Sequence, residues 1–108
     1  MGGRLRHLLW AVLLAPGMAC ADDPDASRQR QLEHMLIHDC GSCHGLRLTG
    51  GIGPALTLSA MALRPEEALE AIIASGVPGT PMPPWTGILD RDDIRWLARR
   101  LREGRNRE

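Results

Sequence analysis

The chain has 108 residues, with thirteen basic side chains, all arginine, against thirteen carboxylates and a formal charge of zero. That length holds a single domain, and the balanced charge excludes a basic module built to bind nucleic acid. With no Phe, no Tyr and only three Trp, a core of this size supplies roughly 3–5 kcal/mol by itself, so something besides side chains is needed to fill it.

Residues 1–21 read as a removable leader. Arg4, Arg6 and His7 give a basic start, Leu8 to Ala15 an unbroken apolar run, and Pro16-Gly17 interrupt it. Ala19-Cys20-Ala21 fits the small-x-small cleavage pattern, with Asp22 and Asp23 following. The apolar run is too short to span a bilayer. The expectation is a signal peptide cleaved after Ala21, which leaves one domain at residues 22–108. The rival is a lipoprotein acylated at Cys20, for which Gly17-Met18-Ala19 is a poor match. On the first reading Cys20 is lost, Cys40 and Cys43 remain, and 11 Arg face 13 acids.

From Ala26 the pattern turns helical. Leu32, Leu36 and Cys40 recur every fourth residue with Met35 alongside, while Arg28, Arg30, Glu33 and His34 can face water. A helix is predicted from Ala26 to about Asp39, capped by Asp25 or Ser27. It runs into Cys40-Gly41-Ser42-Cys43-His44, a C-x-x-C-H motif. That spacing is the attachment signature of a c-type haem. Two thiols can bond one porphyrin, and His44, next in line, can reach the iron. Gly41 and Ser42 are small enough to let the backbone lie close to the ring. Two other readings weigh less. A zinc site wants four ligands, and Cys20 is the one cysteine left to add. A thiol redox pair wants strands around it, and no convincing strand is present. A flat apolar group bonded at two points would also supply the missing core.

Residues 45–58 hold Gly45, Gly50, Gly51, Gly53 and then Pro54, a loop suited to turning beneath a flat ring. A ligating histidine usually gives its other N–H to a carbonyl, and the carbonyl of Pro54 is the candidate. Pro65 is read as the first residue of a helix, with Glu66 and Glu67 in its first turn, Leu69, Ile72 and Ile73 on its apolar side, and Gly76 as its stop. Val77 to Trp85 contains four prolines and is neither helix nor central strand. It is a stiff loop displaying Met82, whose thioether suits an iron ligand that favours the reduced state. Met61 ranks second as a ligand and Met35 a poor third. His34 and His38 are expected on the surface. Asp90 begins a last helix, with Asp93 completing a capping-box-like pair. Ile94, Leu97, Ala98 and Leu101 form its stripe, with Trp96 at the edge. Arg95, Arg99 and Arg102 fall on another face. Their plain reading is solvated surface. The functional one is a docking patch or a partner for a haem propionate.

The ordered set of Cys40 to Gly45, Gly51-Ile52-Gly53-Pro54-Ala55-Leu56, Pro81-Met82-Pro83 and a closing helix with Trp96 resembles class I cytochrome c. The resemblance covers almost all of residues 22–108. It implies an all-α fold of three to four helices wrapped around one covalent haem c. It implies His44 and Met82 as axial ligands and an exposed haem edge, hence a one-electron carrier rather than an enzyme. A narrower likeness, in Thr49 to Thr57 and Gly79 to Trp85, is to the small cytochromes of denitrification loci. Together with the leader, the short apolar run and the balanced charge, the expectation is a periplasmic protein, a monomer, with no nucleic-acid partner and no membrane span after processing. Its partner would be the nitrite reductase that carries haem c and haem d, or the machinery that matures the haem d. From another class, a haem sensor or enzyme with an open sixth position remains an alternative. The chain departs from mitochondrial-type relatives in lacking Lys and Tyr, so a docking surface built on a lysine ring does not carry over.

Overall fold

The computed structural model describes Leu13 and residues 23–104. The expected cleavage point and Cys20 lie outside them. In chain order the elements are α1 (Ala26–Met35), a π-helical turn (Leu36–Cys40), α2 (Gly41–His44), α3 (Leu58–Met61), α4 (Glu66–Ser75) and α5 (Arg91–Glu103). The described residues contain no strand, as expected for an all-α chain.

Asp25 caps α1, its Oδ1 accepting from the Arg28 N–H at 2.8 Å. The helical backbone does not end near Asp39 as the spacing predicts; it runs on to His44 through one wide turn. In that turn the Gly41 N–H donates to the Leu36 carbonyl, five residues back. The reason lies in phase. An α-helix advances about 100° per residue, so every fourth residue drifts by about 40°. A wider turn takes back part of that drift. Leu32 and Leu36 stay in the core while Cys40 stays half-buried on the same side.

Two further boundaries differ from expectation. Thr57 caps a short helix, α3, which starts at Leu58, the last residue of the loop expected over residues 45–58; the Ala60 N–H reaches Thr57 Oγ1 at 3.4 Å. Pro65 is the N-cap of α4 rather than its first helical residue. The stop at Gly76 stands, with φ 66°. The last helix begins with both halves of a capping box. The Asp93 N–H donates to Asp90 Oδ1 at 2.8 Å, and the Asp90 N–H to Asp93 Oδ2 at 3.4 Å.

The core gathers Leu32 and Leu36 from the first segment, Met61 from α3, Leu69 from α4, and Ile94, Leu97, Ala98 and Leu101 from α5, with Leu48 and Leu89 from the loops. Ion pairs tie the first segment to the last helix. Arg28 holds Asp93 at 2.6 Å, Arg99 holds Asp23 at 2.9 Å, and Arg100 holds Glu33. Arg95 pairs with Asp92 at 3.3 Å, and Arg99 also lies 3.7 Å from Glu66. Arg95 and Arg99 are thus engaged within the chain. Among the described residues no helix is long and apolar enough to cross a membrane.

Candidate functional site

Between the first helical segment, α4 and the proline loop lies a cavity of about 1090 Å³. Cys40, Cys43, His44, Pro54 and Met82, dispersed over more than forty residues of sequence, all line it. Leu36, Leu69, Ile72, Ile73, Leu97 and Leu101 make much of the rest apolar. Its size exceeds that of most small-molecule pockets and suits a large flat ring.

The His44 imidazole is held from one side. Its Nδ1 lies 2.7 Å from the carbonyl oxygen of Pro54. A carbonyl only accepts, so Nδ1 carries the proton and Nε2 keeps its lone pair. The ring also rests on the backbone of Gly53. A Cβ there would sit 2.7 Å from His44 Nδ1 and Cε1, so only glycine fits. The loop is tied to the motif by the Gly53 N–H, which donates to the Cys43 carbonyl at 2.8 Å.

Met82 is half-buried on a loop fixed at several points. The Val77 N–H donates to the Met82 carbonyl at 3.1 Å, the Met82 N–H to Thr80 Oγ1 at 3.3 Å, and the Trp85 N–H to the Ile73 carbonyl at 3.1 Å. Gly76 permits this closure, because its φ is positive and a Cβ would fall 2.6 Å from the Met82 carbonyl oxygen. Two half-buried thiols, a bare imidazole nitrogen and a displayed thioether around an apolar slot fit a haem.

Comparison with known proteins agrees. Residues 27–99 match the family described as cytochrome C oxidase, cbb3-type, subunit III. Cytochrome c55X of Pseudomonas aeruginosa is 55% identical over 104 residues, covering 91% of this chain and 87% of its own length. Cytochrome c55X of Paracoccus denitrificans is 53% identical over 93 residues, 86% of this chain and 89% of its own. A solved c-type cytochrome NirC superposes with a TM-score of 0.72 at 61% identity, covering 74% of this chain and 94% of that one. The chain belongs to the cytochrome c55X family of c-type cytochromes. It therefore carries covalently bound haem c with its iron, and it is an electron carrier rather than an enzyme.

The Cys40 thiol of this cytochrome chain does not resemble an activated redox thiol. Burial, then the charge of Asp39, pushes the Cys40 thiol up to about 11, whereas reactive thiols are held below their ordinary value. Among the described residues no group of three or more His, Cys, Asp and Glu is placed to hold a metal ion.

Two features escaped the sequence. None of Arg95, Arg99 and Arg102, offered as propionate partners, lines the cavity; among the described residues the guanidinium that does is Arg64. It sits in the turn before α4, where no periodicity marks it. The second is the close approach of Gly53 and Gly76 to the two candidate ligands. Both glycines are visible as loop and stop signals, but what each touches is set by tertiary structure. Met61 and Met35 also line the cavity. Met61 is 5% exposed within the core cluster, which leaves Met82 as the thioether on a dedicated loop.

Proposed function

We propose that this cytochrome is a periplasmic one-electron carrier of denitrification, exported by the leader at residues 1–21. Cys40 and Cys43 bond its haem, and His44 and Met82 ligate the iron. The observation that carries this reading is that an imidazole tied through Nδ1 to Pro54 and a thioether on a pinned loop line one apolar cavity. Bound there, the haem supplies a one-electron couple. The chain's own part is to orient and exclude. Pro54 fixes the imidazole tautomer and makes Nε2 the better donor. The bonds at Val77, Thr80 and Trp85 hold the thioether in register. Leu69, Ile73, Leu97 and Leu101, which line the cavity, would keep water from the bound haem. Arg64, at the cavity, is the cation available to a propionate.

The denitrification assignment rests on the likeness to cytochrome c55X proteins and to NirC. It makes a periplasmic nitrite reductase the redox partner. The test is to express the full gene in a host competent for cytochrome maturation. The exported protein should weigh as residues 22–108 plus one haem and show the far-red sulfur-to-iron band when oxidised. It should exchange electrons with haem c/haem d nitrite reductase in stopped flow. A colourless product of bare chain mass overturns haem attachment. Rapid cyanide binding without the far-red band overturns the second ligand. Absence of exchange with the reductase overturns the partner alone.

A further inference from the structure

His34 and His38 lie on the face of the first helical segment that the haem cavity does not use. Both are exposed, and their ring centroids are 4.1 Å apart at an interplanar angle of 73°. No described residue hydrogen-bonds or ion-pairs with either imidazole, so their ring nitrogens are available to a ligand. Positions four apart already share one face of a helix. In regular α-helix these two positions would be offset by about 40°. The π-helical turn begins at Leu36, between the two, and its smaller rotation per residue reduces that offset. The two histidines line a groove together with Ser27, Arg30, Gln31, Met35 and Asp39.

We propose that His34 and His38 form a binding site for a divalent transition-metal ion, tightest for Cu(II) and open to Zn(II). Paired histidines four apart on one helical face are a recurrent chelating arrangement. Each imidazole nitrogen binds such an ion at about 2.0–2.1 Å, so two nitrogens on one ion lie at most about 4 Å apart. Exposed rings whose centroids are 4.1 Å apart reach that spacing by side-chain rotation alone. Imidazole donors suit copper and zinc, and the order of divalent affinities places copper first. No third His, Cys, Asp or Glu among the described residues completes a closed set. Water fills the remaining positions, and the ion exchanges rather than serving the fold. Met35 and Asp39 line both this groove and the haem cavity, which puts the ion one wall away from the haem.

The test uses the oxidised, haem-loaded exported protein. Calorimetric titration with Zn(II) chloride should give one ion per chain. The Cu(II)-loaded protein should show paramagnetic resonance splitting from two imidazole nitrogens. Either His34→Ala or His38→Ala should weaken binding at least about tenfold, while an unchanged haem spectrum shows that the fold persists. Binding that survives both substitutions, splitting from a single nitrogen, or no saturable binding at millimolar metal each overturns the site.

Discussion

Arg28 grips Asp93 from the far end of the chain. Its Nη2 lies 2.6 Å from Oδ2 and its Nε 3.1 Å from Oδ1, across a sequence separation of 65 residues. The Asp93 side chain is 4% exposed, while that of Arg28 is 34% exposed. The same carboxylate closes the capping box of α5. One buried group therefore both starts the last helix and fastens it to the first.

Removing either partner should loosen that crossing, but not equally. Asp93→Asn keeps the shape yet loses the charge that Arg28 and the cap both use, at a cost of about 2–3 kcal/mol. Arg28→Ala should cost about 1–2 kcal/mol, less because the guanidinium is partly solvated. Denaturant unfolding of the haem-loaded variants, followed by the far-red band and by helix content, reads both. Equal and negligible costs would show the pair to be ornamental.

The pair also sets an acid limit. Hydrogen bonding from Arg28 leads the causes that hold the Asp93 carboxyl below its ordinary value. A carboxylate whose folded pKa is depressed adds stability that is complete above its unfolded value, about 3.9. That stability is lost as pH falls through the lower folded value. Wild type should therefore lose stability more steeply than Asp93→Asn below about pH 4, and the gap between the two should narrow there. A constant gap from pH 7 to pH 2 contradicts the assignment.

Gly53→Ala should disturb the haem without unfolding the helices. A Cβ at Gly53 meets the His44 ring at 2.7 Å, so the imidazole must turn away from Pro54. Without the Pro54 bond Nε2 is a weaker donor to the oxidised iron, so the expected result is a raised potential and a shifted proximal histidine resonance. Gly87→Ala is the control, since nothing lies within 4 Å of a Cβ there. If the two variants behave alike, the contact with His44 does not govern the ring.

Much of this was legible in the sequence because the decisive signals were local. C-x-x-C-H, the stop at Gly76, the proline run around Met82 and the Asp90–Asp93 cap each depend on neighbours in the chain. What was not legible depends on distant partners. Leu48 is 4% exposed in the core and adopts φ 57°, a conformation rare for leucine. Its carbonyl accepts from the Leu56 N–H at 2.9 Å, and that closure of the loop offsets the backbone strain. Nothing in Gly45 to Gly50 marks such a residue as core. The wide turn at Leu36 was hidden for the same reason. Its benefit is to keep Cys40 in phase with the cavity, and helix propensity carries no record of that.

Gly76 and Gly79 offer a way to separate strain from collision. Both have positive φ, 66° and 78°. A side chain at either position costs about 1–2 kcal/mol in backbone strain. At Gly76 a Cβ would also strike the Met82 carbonyl oxygen at 2.6 Å, whereas at Gly79 it meets nothing within 4 Å. Gly76→Ala should therefore weaken the sulfur-to-iron band and lower the potential, and Gly79→Ala should lose stability with the band intact. A band lost in both variants would mean that the loop answers to backbone strain alone.

Met82 and Met61 both bring a thioether to the cavity. They differ in what holds them. Met61 ends α3 and is packed at 5% exposure among core leucines. Swinging its sulfur to the iron would open a void where it now packs. Met82 stands on a loop whose backbone is fixed by Val77, Thr80 and Gly76 and whose side chain serves no core cluster. Met82→Ala should thus keep the haem attached, abolish the far-red band, lower the potential and admit carbon monoxide to the reduced protein. Met61→Leu should preserve band and potential and cost less than about 1.5 kcal/mol, as a near volume-conserving core exchange does. The reverse pattern would transfer the ligand role to Met61 and reduce the proline loop to packing. Loss of the band in both variants would show that the core around Met61 positions Met82, and the potential of each would then measure how much.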